Sequence, residues 1–357
     1  MSKPQVSVKG HSINEAWLAL HDEPVIEPDL PIVDPHHHLW DQKPHSYLFH
    51  ELLADVDSGH DVRATVYVDC AAMYRADGNP AFASVGEVEF VNGIAAMSAS
   101  GSYGRARLCV GIVGHADLTR GGAARDTLVR LIQAAPERFK GIRHMGAYDP
   151  NPGITSLPTP PPPGLYGDAR FREGFATLAP LGLSFDAWLY HPQLDDLIGL
   201  ADAFPETTII MDHMGGRIGI GAYADKSAEV DALWRGKIVE IAKRPNVVVK
   251  LGGFGMRLNG FRLNEAPRPP SSEALATLWR PYIESCLDAF GPARCMFESN
   301  FPVDKLSCSY KVLWHAFKRI AAGHTPEDKR LLFAGTATRV YRLPGALIAC
   351  PPAAATA

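Results

Sequence analysis

The sequence predicts a (β/α)8 barrel, a closed ring of eight parallel strands with helices between them. Eight short apolar segments recur along the chain, and most are separated by stretches with helical periodicity. Strands nearly continuous in Val, Ile and Leu suit a parallel sheet that is buried on both faces. Eight such units favour a barrel over an open sheet. No GxGxxG or GxxxxGK[ST] motif follows any of them, which disfavours a nucleotide-binding doubly wound fold.

The predicted strands are read in order from apolar runs. They are "LPIVDPH" (30–36), "RATVYVDC" (63–70), "RLCVGIV" (107–113), "FKGIRHM" (139–145), "LSFDAWLY" (183–190), "TTIIMDH" (207–213), "NVVVKLG" (246–252) and "RCMFES" (294–299). Between strands five and six, "HPQLDDLIGLADAFPE" carries apolar residues at helical spacing and a proline after them, which predicts a helix there.

The segments outside this pattern set the domain boundaries. Residues 1–29 are predicted as an N-terminal arm, 30–345 as one barrel domain and 346–357 as a C-terminal tail. Long Pro- and Gly-rich loops follow strand four ("YDPNPGITSLPTPPPPGLYGD") and strand seven ("FGMRLNGFRLNEAPRPPSSE"). Because barrel active sites lie at the carboxyl ends of strands, we expect these loops to form walls or lids of the site. A plain spacer is the alternative for the polyproline part.

The composition of the chain limits the classes of molecule that it is expected to bind. The chain has 357 residues, is 46% hydrophobic and carries a formal net charge of -4, with no basic block that would neutralise phosphates. Nucleic-acid binding therefore has no electrostatic support. No apolar run is long enough to cross a bilayer, and the six scattered cysteines suggest neither a zinc ribbon nor a disulfide framework. We expect a cytoplasmic protein that acts on small molecules, in an oligomeric state that the sequence leaves open.

Three consecutive histidines follow the first apolar run, in "PIVDPHHHLWD" (31–41). In an extended strand side chains alternate, so His36 and His38 point one way and His37 the other. His213 ends strand six in "IIMDHMGG". Three protein ligands with one open position is the pattern of catalytic zinc, so these three histidines are predicted to bind one divalent metal, zinc by preference. A purely structural histidine tract is the alternative.

Other polar side chains stand at predicted strand ends. Arg143 is a candidate to bind a substrate carboxylate with its planar fork, or else to form an ion pair at the edge of the core. His144 alternates away from Arg143, so only one of them is expected to face the lumen. His191, Trp40 and Tyr148 complete the predicted substrate-binding set, although aromatic residues also serve in packing.

Several of these segments together resemble one family. "VDPHHHLWD", "FKGIRH", "LSFDAWLYHPQL", "FPETTIIMDHMGG", "VVVKLGG" and "CMFESNFPVDK", in this order, resemble the amidohydrolase superfamily, and within it the amidohydrolase-2 type barrels that include sugar-lactone and pyrone-dicarboxylate lactonases. The resemblance runs from about Pro31 to about Tyr341. It implies a barrel with a hydrolytic site built from His36, His38 and His213. It also implies an aspartate after strand eight, in a GSDWP-like motif, that binds metal and handles the proton of the attacking water.

The sequence departs from that motif, because it reads "ESNFP" and places Asn300 at the position of the aspartate. A carboxamide is uncharged and cannot serve as a base at neutral pH. Glu298, which strand alternation puts on the face of Asn300, Asp304 and His191 are candidate substitutes. For Asp304 the alternative is a helix cap or a salt bridge, and for Glu298 a buried pair with arginine.

The leading hypothesis is hydrolysis of a small lactone or related cyclic ester, one that carries a carboxylate, by water attack with one divalent metal. Related lactonases do not all depend on a metal, so metal-free polarisation of the carbonyl by the histidines stays open. A metal-dependent, non-oxidative decarboxylase of an aromatic or unsaturated acid is the second hypothesis. A catalytically silent barrel that binds a small acid is the third. No GxSxG elbow appears in a strand-turn-helix context, which disfavours a serine hydrolase.

Overall fold

The structure is a computed structural model that describes residues 13–42, 45–154 and 159–347. Its main sheet has eight parallel strands, each hydrogen-bonded to the next in chain order. They are β1 (Pro31–His37), β2 (Asp61–Val68), β3 (Arg107–Gly114), β4 (Phe139–Arg143), β5 (Ser184–Ala187), β6 (Ile209–Met211), β7 (Val247–Leu251) and β8 (Cys295–Phe297). The predicted (β/α)8 barrel is confirmed, as a single domain.

The ring is completed just beyond β8, where residues after that strand pair with β1. The backbone N–H of Asn300 donates to the His36 carbonyl at 2.9 Å, and that of His38 donates to the Phe301 carbonyl at 2.7 Å. The buried Asp34 carboxylate accepts the Ser299 N–H at 3.0 Å on the same seam. Closure therefore brings the segment 298–301 against the histidine tract.

Helices alternate with the strands as expected. The α-helices that flank or follow the strands are Glu15–Leu18, Phe49–Val56, Val85–Ala99, Ala124–Ala134, Ala169–Phe175, Leu194–Ala203, the short irregular turn His213–Gly216, Ser227–Ile241, Ser272–Phe290, Tyr310–Ile320, Pro326–Arg330 and Thr336–Val340. A small antiparallel hairpin, Trp40–Gln42 with His45–Tyr47, follows β1. Within the described residues, none of these helices combines the length and apolarity that crossing a bilayer requires.

The barrel interior is divided into an apolar lower half and a polar upper half. Alternate strand residues form an inner cluster with the C-terminal segment: Val33, Ala64, Val66, Val68, Val113, Ile210, Val248, Met296, Ala334, Ala337, Val340, Tyr341 and Leu343. The helix Thr336–Val340 and Tyr341 thus close the lower end. The residues between them on each strand face outward and pack against the helices. The polar side chains of the lumen lie at its upper end, where the strands have their carboxyl ends.

Two strands are shorter than the sequence suggests, since segments 183–190 and 207–213 contribute only Ser184–Ala187 and Ile209–Met211. Pairing between them ends at Ala187 and Met211. The chain then leaves the sheet, and Trp188 and Tyr190 pack above the barrel in a small apolar cluster with Ala147, Ile154, Ile218 and Leu258. The sequence predicted a longer fifth strand because the residues that follow Ala187 are also apolar. Apolar residues that are buried outside the sheet give the same sequence pattern as a buried strand.

The predicted arm and tail are only partly described. Residues 1–12 and 348–357 lie outside the described residues, as do residues 155–158 of the loop after β4. In the described part of the arm, the helix Glu15–Leu18 meets two loops at the carboxyl ends of the strands. Glu15 pairs with Lys305 after β8 at 2.9 Å, and the Trp17 indole donates to the Ala266 carbonyl after β7 at 3.0 Å. The arm therefore packs against the barrel mouth.

Candidate functional site

Side chains from β1, β6 and β8 converge at the upper end of the lumen. Glu298 lies between two imidazoles. Its Oε1 atom accepts from His213 Nδ1 at 2.6 Å, and its Oε2 atom lies 2.7 Å from His36 Nδ1. The two rings are 4.6 Å apart between centroids, and neither His36 nor Glu298 is exposed at all. A single buried carboxylate thus orients histidines from opposite parts of the chain.

His38 stands beside this group on the same face as His36. Its ring centroid is 4.9 Å from that of His36, and the Trp40 ring stacks on its other side at 6.0 Å. His38 Nδ1 lies 2.8 Å from the Val68 carbonyl, which can only accept, so Nδ1 carries the proton and Nε2 keeps a free lone pair. Burial holds the pKa of His38 well below the usual range, so the ring is neutral.

His37 points the opposite way, as alternation predicts. Its Nε2 atom lies 2.8 Å from the Thr65 hydroxyl, outside the lumen. Burial lowers the pKa of His37 to about 3. Of the three consecutive imidazoles, two face the site and the third belongs to the packing between β1 and β2.

Below the histidines lies a buried cation, Lys250. Its ammonium is 2.6 Å from Asp186 Oδ1, 3.0 Å from Asp212 Oδ1 and 3.3 Å from His36 Nδ1. Burial opposes the charge, but the Asp186 and Asp212 carboxylates raise the pKa of Lys250 above its usual value. The Tyr341 hydroxyl donates to Asp186 at 2.7 Å from the closed end of the barrel. These groups form a charged floor under the site.

Arg143 faces the lumen and is 4% exposed, whereas its neighbour His144 turns away. The guanidinium donates to the Asp69 carbonyl, and its Nη1 atom is 3.4 Å from His36 Nε2 and 3.6 Å from Asp212 Oδ2. The Arg143 charge is therefore already balanced by protein carboxylates. Nε2 of His36 thus faces the Arg143 guanidinium, whereas Nδ1 faces both the Glu298 carboxylate at 2.7 Å and the Lys250 ammonium at 3.3 Å. Burial, and then the Lys250 charge, hold the pKa of His36 well below the usual range.

Asn300 and Asp304 form a pair above Glu298. Asn300 donates from Nδ2 to Asp304 Oδ1 at 2.9 Å, and the Gly255 N–H donates to Asp304 Oδ2 at 2.9 Å. Burial raises the pKa of Asp304 to about 7, against the lowering effect of these hydrogen bonds. Asn300 has φ +55°, so strand alternation has ended and the predicted common face of Glu298 and Asn300 is wrong. Glu298 contacts the imidazoles, and Asn300 turns to Asp304.

A glycine-rich turn after β7, "LGGFG" (251–255), gives the site its room. A Cβ atom on Gly252 would lie 2.5 Å from Glu298 Cγ, one on Gly253 2.6 Å from His213 Cγ, and one on Gly255 2.8 Å from Asp304 Cα. Gly253 also has φ +73°, which side chains rarely adopt. The absence of side chains at these three glycines thus lets the backbone approach three different side chains of the site.

Gly253→Ala is expected to lower catalytic activity at least about hundredfold, since a displacement of roughly 1 Å at a reacting group costs that much. The new methyl group would push the His213 ring from Glu298. Initial rates and thermal melting would measure the effect. Gly236→Ala is the matched control, because that helical glycine has open space around its Cβ position. Equal losses in both variants would contradict the proposed role of the turn.

Three predicted substrate-binding residues lie apart from the histidine group. His144 accepts the Leu118 N–H at 3.3 Å and packs against His115. His191 accepts the Ile218 N–H at 3.2 Å and packs against Tyr223. Tyr148 is half-buried, and its backbone N–H donates to Gln193. Trp40, by contrast, contacts His38, as described above.

Sequence reasoning missed Lys250, Asp186 and the glycine turn as parts of the site. Asp186 and Lys250 are single charged residues inside the otherwise apolar runs "LSFDAWLY" and "VVVKLGG". A charge at an inward position of a doubly buried strand needs a partner in the lumen, so this signal was present. The Trp188 ring packs edge-on to His213 at 4.8 Å.

The residues present fit a divalent metal ion. Ligand atoms of His36, His213 and Glu298 all lie within 4.8 Å of one another, and imidazole and carboxylate are zinc ligands. Glu298 Oε2 lies 2.7 Å from His36 Nδ1 and Asp212 Oδ1 lies 3.0 Å from the Lys250 ammonium, but among the described residues neither these oxygens nor Asp212 Oδ2 accept a hydrogen bond of good geometry. Apart from the histidines and Asp304, the charged side chains around the lumen have two more carboxylates than cations: Asp69, Asp186, Asp212 and Glu298 against Arg143 and Lys250. His38 lies next to the three-residue group rather than in it.

A (β/α)8 barrel whose buried histidines, carboxylates and cations meet at the carboxyl ends of its strands is an enzyme-type barrel. The sequence matches the model of the amidohydrolase family over residues 33–343. The chain belongs to the amidohydrolase family.

Individual relatives agree with this. An uncharacterised protein of Sinorhizobium fredii, y4mH, is 32% identical over 88% of this chain and 99% of its own length. An L-fucono-1,5-lactonase of Burkholderia multivorans is 30% identical over 50% of this chain and 57% of its own length. A crystal structure of a Burkholderia multivorans amidohydrolase with bound zinc has a TM-score of 0.67 at 23% identity, covering 88% of this chain and 99% of that one. This last likeness concerns the fold.

Proposed function

We propose that this protein hydrolyses a small lactone or related cyclic ester, with one divalent metal, zinc by preference, held by His36, His213 and either His38 or Glu298. The observation that carries the proposal is the convergence of the His36 and His213 imidazoles and the Glu298 carboxylate at the upper end of the lumen. The partial likeness to L-fucono-1,5-lactonase supports a lactone as the substrate class. A divalent ion, when bound, supplies Lewis acidity toward a carbonyl oxygen and toward water.

The residues of the chain have distinct roles in this proposal. Glu298 accepts the Nδ1 proton of His213 and so leaves Nε2 of that ring free as a ligand atom. In the same way, the Val68 carbonyl accepts the Nδ1 proton of His38 and leaves Nε2 of that ring free as a ligand atom. Asp304 takes the proton of the attacking water and returns it to the ring oxygen that leaves, while Asn300 holds the carboxylate in place. The family aspartate is thus replaced by a carboxylate four residues further on.

Arg143 enters the proposal in a changed form. A substrate carboxylate could approach its guanidinium only in competition with Asp69 and Asp212, which already contact it. We therefore expect a neutral lactone to be a better substrate than one that carries a carboxylate. The five cysteines of the described residues are all free, which suits the reducing cytoplasm as the site of action.

The test is an assay of purified protein, with metal content measured in parallel. Proton release would be followed in weakly buffered solution with L-fucono-1,5-lactone, other neutral sugar lactones and lactones that carry carboxylates. Carbon dioxide release would be followed with aromatic and unsaturated carboxylic acids. We expect ring opening of a neutral lactone and no carbon dioxide. Carbon dioxide as the only product would replace the lactonase proposal with a decarboxylase, and no turnover in either panel would favour a silent binding protein.

A further inference from the structure

The Lys250 ammonium is surrounded in the way that a bound cation is surrounded. Two carboxylate oxygens and one imidazole nitrogen lie within 3.3 Å of Nζ, from Asp186, Asp212 and His36. The side chain is fully buried, and Tyr341 closes the floor beneath by donating to Asp186. The position therefore offers oxygen and nitrogen donors to a positive charge at the closed end of the lumen.

The same donor atoms are ligands that divalent metals accept. His36, which belongs to the metal group with His213 and Glu298, also contacts the ammonium, and Asp212 lies close to both the ammonium and His36. If the ammonium were absent, Asp186 would lose the cation that contacts it, and Asp212 would keep only the Arg143 guanidinium, at 3.6 Å. A buried carboxylate pair in that state attracts a cation strongly.

We propose that Lys250 is a built-in cation that occupies the second cation position of this site and so limits it to a single divalent ion. The inference rests on the metal part of the proposed function. With Lys250 in place, the six charged side chains around the lumen have two carboxylates in excess, which one divalent ion neutralises. Without the ammonium, the excess grows by one and a second set of donors opens.

Lys250→Met tests this, because methionine is unbranched, of similar length and uncharged. Zinc would be titrated calorimetrically into metal-depleted protein, and bound zinc would be counted by elemental analysis after gel filtration. We expect one equivalent in the wild type and two in Lys250→Met. Lys318→Met is the matched control, since that lysine is also buried and bonded, to the Ile26 and Glu27 carbonyls and to His60, but outside the lumen. It should lower the melting temperature and leave one equivalent.

Asp186→Asn keeps the proposal testable if Lys250→Met does not fold. It removes one carboxylate of the floor while the ammonium stays, so we expect one equivalent of zinc bound about tenfold or more weakly than in the wild type. The same zinc stoichiometry in Lys250→Met and the wild type, or an unchanged affinity in Asp186→Asn, would overturn the role of Lys250. Two equivalents in the wild type would do so as well, without touching lactone hydrolysis. No zinc in any variant would remove the metal from both proposals, whereas the lactone assay stands separately.

Discussion

His36→Gln is expected to lower kcat/KM for lactone hydrolysis by about a thousandfold or more, because first ligands matter more than the outer partners whose loss costs 10–100-fold. His36 is the ring at which the charged side chains of the lumen meet. Glu298 and Lys250 meet its Nδ1 atom, and Arg143 meets its Nε2 atom. Initial rates with L-fucono-1,5-lactone, or with the best lactone of the panel, would measure the loss, and zinc titration would show whether ion binding falls with it.

The adjacent His37 supplies a control of the same residue type. Its ring is equally buried but bonds to Thr65 on the outer side of β1. His37→Gln should retain kcat/KM within about threefold and lower stability by roughly 1–3 kcal/mol, the cost of disturbing one buried hydrogen bond. Thermal or urea melts would record the change. If the two variants lost activity alike, the alternation that separates the two rings would not explain the site.

The same alternation shows how far the sequence leads. Eight apolar runs and the absence of a phosphate-binding motif were enough for the barrel, because burial on both faces imposes a pattern that few other folds share. His36 and His213 were found because each stands at the carboxyl end of a strand. Such positions meet at one end of a closed ring, wherever they lie in the chain.

What the sequence did not predict depends on the ends of strands and on backbone shape. Trp188 continues the apolar run of β5 and yet lies above the sheet against His213. Asn300 leaves the extended conformation with φ +55°, so counting residues from Glu298 misplaced its side chain. Gly253 matters through the side chain that it lacks. None of these features has a period, and periodicity is the main signal of a single sequence.

The position of Asn300 gives the sharpest question about chemistry, namely which group accepts the proton of water. Asp304 is the carboxylate that Asn300 holds, and the Gly255 N–H fixes its second oxygen. Asp304→Asn should therefore lower kcat about 10²–10⁴-fold, the usual contribution of a positioned base. Its side chain keeps nearly the same size, and melting curves would show that the fold is retained.

The pH dependence separates a base from a merely structural carboxylate at this position. Burial raises the pKa of Asp304 to about 7, and only the ionised form accepts a proton. The wild-type kcat/KM should thus fall as the pH drops below about 7 and level off above it, while the residual rate of Asp304→Asn should lack this limb. Asp149→Asn is the matched control, because Asp149 is another buried carboxylate with two hydrogen bonds, from Asn151 and Tyr223, and should keep the limb. A limb that persists in Asp304→Asn would assign the proton to another group, since an amide does not titrate in this range.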